Sequence, residues 1–360
     1  MTTIWDPITI KNLHLPHRLA LAPMTRSRAQ DDGSPGPLAA EYYAQRAQLG
    51  LLISEGTQPS ADGQGYLSTP GIYTAEHRRG WRTITEAVRA QGGHLFIQLM
   101  HAGRMSHPDN TPHHRQGVAP SAVAPDVTLF TPTGLQPVPV PRALSTREVV
   151  ATIEDFRAAA ASAMAAGAHG VEIHGGNGYL LQQFLAPNAN QRTDRYGGSL
   201  RNRARLVIEI AAAVAGEIGP DHVGVRLSPG RPLGDLDEGP QTGDLYRYLV
   251  GELAALDLAY LHLFTAAEDG DLLRDLRAAW PNALLVLRAG RPVSASGLAA
   301  ELAAGADVLP LGRSALANPD IVARLRTGAD LNPPDPATFY GGSATGYTDY
   351  PSLGGAQAVA

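Results

Sequence analysis

Along the chain, eight apolar or β-branched runs recur at intervals, and all but one are soon followed by a stretch with helical period. The runs span Leu19 to Pro23, Leu49 to Glu55, His94 to Leu99, Gly170 to His174, His222 to Leu227, Leu258 to Phe264, Ala283 to Arg288 and Ala306 to Gly312. Helical patterns fall at Leu38 to Gln48, Glu76 to Ala90, Thr146 to Ala166, Leu200 to Ile218, Gly243 to Leu256, Leu272 to Trp280, Ala295 to Ala304 and Ile321 to Arg326. Near-continuous apolar strands that alternate with helices predict a parallel sheet covered by helices. Eight such units predict an α/β protein with a closed (β/α)8 TIM barrel, a single domain over 1–353, with a doubly wound open sheet as the alternative.

Three segments depart from this rhythm. Ile4 to Pro16 reads as a short hairpin ahead of the first strand. His101 to Leu144, after the third strand, is rich in Pro, His and Gly without helical period, which predicts a long excursion over the barrel mouth. The glycines at Gly341-Gly342 and Gly354-Gly355 suggest irregular chain, with a flexible tail over 354–360.

Composition then removes whole classes of chemistry. There is no cysteine, so disulfides, thiolate nucleophiles, Cys-ligated zinc and iron-sulfur clusters are excluded. The single lysine, Lys11, precedes the first strand, a poor place for a Schiff base. A net charge of -5 gives no electrostatic reason to expect nucleic acid or a membrane surface, and no apolar run is long enough to span a bilayer. The N-terminus lacks the basic and apolar regions of a secretory signal, which predicts a cytoplasmic protein. His101, His107, His113 and His114 match no metal-ligand spacing and read as solvent-exposed loop histidines, so no metal site is expected.

Candidate chemistry gathers where the fourth strand ends. His174-Gly175-Gly176-Asn177-Gly178-Tyr179 follows a buried strand and leads into a possible helix, Leu180 to Leu185. Glycines permit tight turns there and leave His174, Asn177 and Tyr179 as the only long polar side chains in six positions. Barrel enzymes place their chemistry at these carboxyl ends. The other ends offer Pro23, Met24 and Thr25; Glu55 and Gly56; Gln98 and Met100; Arg226; Ala289, Gly290 and Arg291; and Gly312 and Arg313. The first strand holds no His-x-His, so the set suits an anionic cofactor better than a metal. Glycine and arginine at consecutive strands seven and eight occupy the common phosphate position of barrels, although turn glycines and a surface arginine would read the same way. Gly176-x-Gly178 lacks the third glycine of a dinucleotide fingerprint.

The central stretch continues through Gln191-Arg192-Thr193-Asp194-Arg195-Tyr196-Gly197-Gly198-Ser199 and closely resembles the signature of the Old Yellow Enzyme family of flavoproteins. Ala22-Pro23-Met24-Thr25-Arg26-Ser27-Arg28, Ser54-Glu55-Gly56-Thr57, Gln98-x-x-His101-x-Gly103-Arg104, Gly305 to Arg313 and Gly346-Tyr347-x-Asp349-Tyr350-Pro351 resemble further family motifs in order. The resemblance implies noncovalent FMN, with NADPH or NADH as reducing substrate and an activated alkene, an α,β-unsaturated carbonyl or nitro compound, as acceptor. It further implies that Thr25, Gln98 and Arg226 meet the flavin ring and that the ends of strands seven and eight hold its phosphate. By the same resemblance His174 and Asn177 grip the substrate oxygen, Tyr179 protonates the α-carbon, and Tyr66, Met100 and Tyr340 belong to the substrate pocket. Thr25 stands where a subgroup has Cys, and Met100 where many members have Trp, which bears on substrate scope. The protein is expected to act as a monomer or homodimer. A barrel that only binds flavin or phosphate, and a lyase or hydrolase without flavin, are the competing functions.

Overall fold

The structure is a computed structural model that describes residues 2–231, 234–266, 270–291 and 293–354. The expected tail lies outside the described residues except for Gly354. Eight parallel strands form the barrel: β1 Leu19–Leu21, β2 Leu51–Ile53, β3 His94–Leu99, β4 Gly170–Gly175, β5 Val223–Leu227, β6 Tyr260–Thr265, β7 Ala283–Arg288 and β8 Leu309–Leu311. Each pairs with its sequence neighbours, β8 returns to β1 through Leu309 opposite Leu19, and a bridge between Leu285 and Val308 closes the ring. The barrel supersedes the open-sheet alternative.

Several strands are shorter than the apolar runs that announced them. β1 stops at Leu21 and β8 at Leu311, because the chain beyond them turns away into the residues of the mouth. The run from Leu49 begins in a 3-10 turn, Ala47–Leu49, that closes with Gly50 at φ 76°, a conformation that favours glycine.

Helices cover the outside: α1 Ala39–Gln45, α2 Ala75–Ala90, α3 Thr146–Ala165, α4 Leu180–Leu185, α5 Leu200–Ile218, α6 Thr242–Ala254, α7 Gly270–Ala279, α8 Ala295–Ala303, α9 Arg313–Ala317 and α10 Ile321–Thr327. The starts are encoded locally. Thr74, Ser145, Ser199 and Ser294 each accept a backbone N–H of the first turn, and Ser145 with Glu148 forms a full capping box. In α3 and α5 the buried stripes Val149, Ile153, Phe156, Ala160 and Leu206, Val207, Ile210, Val214 face the barrel core.

The amino-terminal hairpin forms as the sequence suggests, Ile8–Ile10 against Leu13–Leu15. Ile10, Leu13 and Leu15 pack on Ala20, Leu51, Phe96, Ala259 and Leu285, which stops the barrel at the end away from the candidate site. The excursion after β3 holds an antiparallel hairpin that sequence reading did not foresee, Thr128–Thr131 against Gly134–Pro137. Asn110 donates to the carbonyls of Gly65 and Phe130 and so ties this hairpin to the β2–α2 loop. No described helix is long and apolar enough to cross a membrane.

Candidate active site

At the carboxyl ends of the strands lies a cavity of about 220 Å³. Pro23, Met24 and Thr25 follow β1, Gly56 follows β2, Gln98 and Met100 end β3, and Arg226 rises from β5. His174 from β4, with Asn177 and Tyr179 from the loop beyond it, forms one wall, and Arg313, Leu316, Phe339 and Tyr340 form another. Strand pairing sets His174 level with Arg226, so two adjacent strands deliver an imidazole and a guanidinium to one height.

The loop that carries Asn177 and Tyr179 is held from beneath. Asn177 N–H donates to Ser228 Oγ at 2.7 Å, and Gly178 N–H to Gln182 Oε1 at 2.7 Å. Gln182 Nε2 in turn donates to the Ser228 carbonyl and to the Glu238 carboxylate. Gly176 is required by space, since a Cβ there would lie 2.6 Å from Ser228 Oγ. Asn177 and Gly178 adopt positive φ, 55° and 78°, the conformation that Asn and Gly best tolerate.

Burial, together with the nearby positive charge of Arg226, pushes the His174 imidazole well below its ordinary range, so it is neutral at physiological pH. Burial also raises the Tyr179 phenol, which is therefore protonated. Tyr179 OH lies 3.2 Å from Tyr66 OH, and its ring stands edge-on to His174 with centroids 5.2 Å apart.

Three buried polar atoms at this cavity have no hydrogen-bond partner: His174 Nδ1, Asn177 Oδ1 and Arg226 Nε. Buried polar atoms are nearly always paired, so three orphans on residues that line one cavity offer partners to a ligand there. Arg226 makes no ion pair among the described residues, although it is buried. A donor set with one deep cation, an amide, and an exposed Arg313 at the rim fits FMN, with its electron-rich ring and its phosphate.

Other predicted residues sit differently. Glu55 lies beneath the cavity, where its carboxylate accepts Arg26 N–H at 3.0 Å. Gly312 immediately precedes Arg313. Ala289, Gly290 and Arg291 follow β7 outside the cavity lining, and the Arg291 guanidinium pairs with the buried carboxylate of Glu301. The expectation of four exposed loop histidines holds only for His114: His107 and His113 are half-buried, and His101 departs furthest. It is buried, its Nδ1 accepts Gly103 N–H at 3.1 Å, and burial lowers its pKa to about 4. No cluster that could hold a metal exists among the described residues. Leu316 was missed by sequence reading, since nothing marks an apolar residue of a five-residue helix as cavity lining. A larger hollow of about 530 Å³ lies beside the amino-terminal hairpin, but its charged groups are satisfied: Lys11 pairs with Asp257 and Arg277 with Asp307.

This barrel and this mouth have known counterparts. Residues 3–332 match the NADH:flavin oxidoreductase / NADH oxidase family. A protein of Leishmania infantum named "Probable flavin mononucleotide-dependent alkene reductase" is 40% identical over 96% of this chain and 96% of its own length. 12-oxophytodienoate reductase 7 of Oryza sativa subsp. japonica is 40% identical over 98% and 95%. Morphinone reductase in complex with tetrahydroNAD superposes with a TM-score of 0.92 at 42% identity, covering 98% of both chains. The chain belongs to the NADH:flavin oxidoreductase / NADH oxidase family, the Old Yellow Enzyme family that its motifs resemble. It is an FMN-dependent oxidoreductase that uses a nicotinamide coenzyme as reductant.

Proposed function

We propose that the chain reduces activated C=C bonds of α,β-unsaturated carbonyl or nitro compounds, with His174 and Asn177 polarising the substrate oxygen and Tyr179 donating a proton to the α-carbon. The observation that carries this reading is the convergence of two unsatisfied hydrogen-bonding side chains and a protonated phenol on one wall of a cavity with a buried cation in it. A protein that merely bound flavin would need no proton donor there. The chemistry that bound FMN would supply is hydride transfer from the nicotinamide coenzyme to the alkene.

The chain's own groups do the remaining work. Neutral His174 offers one N–H, and the Asn177 amide offers a second donor, to an oxygen on which negative charge grows during the reaction; such bonds strengthen in the transition state. Arg226 places a fixed positive charge in a water-poor site, where it favours the anionic reduced flavin. Thr25, Gln98, Pro23, Met24 and Gly56 would border the ring, and Arg313 would hold the phosphate with Gly312 and, from beside the cavity lining, the 289–291 segment. Tyr66, Met100 and Tyr340 shape the substrate side. We place the single FMN-binding domain within 1–353 and read the protein as cytoplasmic, acting as a monomer or homodimer. The test is the visible spectrum under anaerobic conditions: NADPH should bleach the bound flavin, and 2-cyclohexenone should restore it. A flavin that NADPH bleaches but no activated alkene reoxidises would defeat the proposal.

A further inference from the structure

Below the cavity floor, inside the barrel, lies a carboxylate that none of these steps employs. Glu172, the third residue of β4, is wholly buried. Its Oε1 accepts a hydrogen bond from Gln98 Nε2 at 2.7 Å, and its Oε2 accepts one from His262 Nδ1 at 2.8 Å. The strand register explains the meeting: Glu172 is level with Gln98 on β3, and His262 on β6 is level with Arg226 on β5. Both carboxyl oxygens receive donors, the arrangement that suits a carboxylate. Burial pushes this carboxyl up, but the His262 ring, by its charge and its hydrogen bond, together with Arg226 and the Gln98 hydrogen bond, holds it below the ordinary value. Burial lowers His262, while the Glu172 carboxylate beside it pulls the other way.

Two consequences follow from a carboxylate in that place. The Gln98 amide must present its NH₂ to Glu172, which leaves its oxygen as the atom available to the cavity. The negative charge also acts on Arg226, which stands on the neighbouring strand two register positions further on, in a medium that screens poorly. We infer that Glu172 is a positioning residue for the flavin: it fixes Gln98 with an acceptor toward the cavity, and it offsets part of the Arg226 charge, limiting how strongly the reduced cofactor is stabilised. The inference rests on FMN occupying the cavity. A site with Arg226 alone would take up hydride readily and release it slowly; the counter-charge keeps both transfers feasible.

The test is the midpoint potential of the bound flavin, measured by equilibrium dye titration, in Glu172→Gln and in the double variant Glu172→Met/His262→Leu. The double variant replaces a buried polar pair with apolar groups of similar size, a change that folds usually tolerate, so the measurement does not depend on a half-satisfied carboxamide. Loss of the negative charge should shift the reduced-to-oxidised ratio at least tenfold toward reduced flavin, about 30 mV upward for a two-electron couple. Glu172→Asp, which keeps the charge, should stay within threefold of the parent. A shift below threefold in either charge-removing variant, with FMN bound and the protein folded, would overturn the inference. Failure of the parent protein to bind FMN would instead sink the reading of the cavity itself.

Discussion

Tyr179→Phe separates the two halves of the proposed turnover. The substitution keeps the ring, and with it the edge contact to His174 at 5.2 Å, and deletes only the hydroxyl. What the fold loses is one neutral hydrogen bond to Tyr66, 3.2 Å long, so about 1 kcal/mol bounds the cost to stability. What the reaction loses is larger. A positioned proton donor contributes about 10² to 10⁴ in rate, or roughly 3 to 5 kcal/mol of barrier. Hydride transfer from the coenzyme needs no proton at this point, so anaerobic stopped flow should show NADPH bleaching the flavin at nearly the parental rate. Reoxidation by 2-cyclohexenone should slow by about 10² to 10⁴ fold. Nitroalkenes should suffer less, because water can protonate the nitronate after hydride arrives. Equal slowing of both phases, or an unchanged enone phase, would remove Tyr179 as proton donor.

Further predictions address the cofactor, the substrate oxygen and pH. Denatured protein should release FMN; release of FAD would refute the assignment of the rim arginine and the strand seven and eight ends to a single phosphate. His174→Ala and Asn177→Ala should each weaken binding of a phenolate such as p-chlorophenol by roughly 1.5 to 3 kcal/mol while FMN stays bound; loss of flavin in place of the phenolate would make these residues structural. Burial raises Glu55 from 4.5 to about 7. Because its folded pKa exceeds the unfolded one, its contribution is complete below about pH 4.5 and is lost as pH rises toward 7, a change on the order of 3 kcal/mol. Glu55→Gln should therefore be relatively more stable at pH 8 than at pH 5 when thermal melts of variant and parent are compared, and a pH-independent difference would contradict this.

The barrel was legible because its strands are buried on both faces and read as apolar runs, and because four helix starts carry Ser or Thr caps. His174, Asn177 and Tyr179 were legible for the opposite reason: glycines isolate them at a strand end. The hairpin at Thr128–Thr131 and Gly134–Pro137 was not, since its strands are short and half exposed, with prolines nearby, and its place depends on bonds to Asn110 that no local pattern encodes. Glu172 and His262 passed as core positions although a signal was present. A carboxylate within Val171-Glu172-Ile173 and an imidazole within Leu261-His262-Leu263 are costly in a two-sided apolar strand unless they meet. His101 looked like a surface loop residue because its burial comes from tertiary contacts that sequence composition does not report.

One feature of the mouth bears on how the protein is made. The wall formed by Phe339 and Tyr340 is fastened across the molecule: Arg26 Nε donates to the Phe339 carbonyl at 3.0 Å and Arg26 Nη2 to the Gly346 carbonyl at 2.7 Å, while the Tyr347 ring stacks on Tyr42 and lies against the guanidiniums of Arg26 and Arg28. Residues that directly follow Thr25 thus hold a segment more than three hundred positions later. A ribosome-bound chain that has already formed seven barrel strands still lacks this wall and its clamp. The clamp therefore joins a cavity wall supplied late in the sequence to residues beside one supplied early, and the two can meet only after all eight strands are in place.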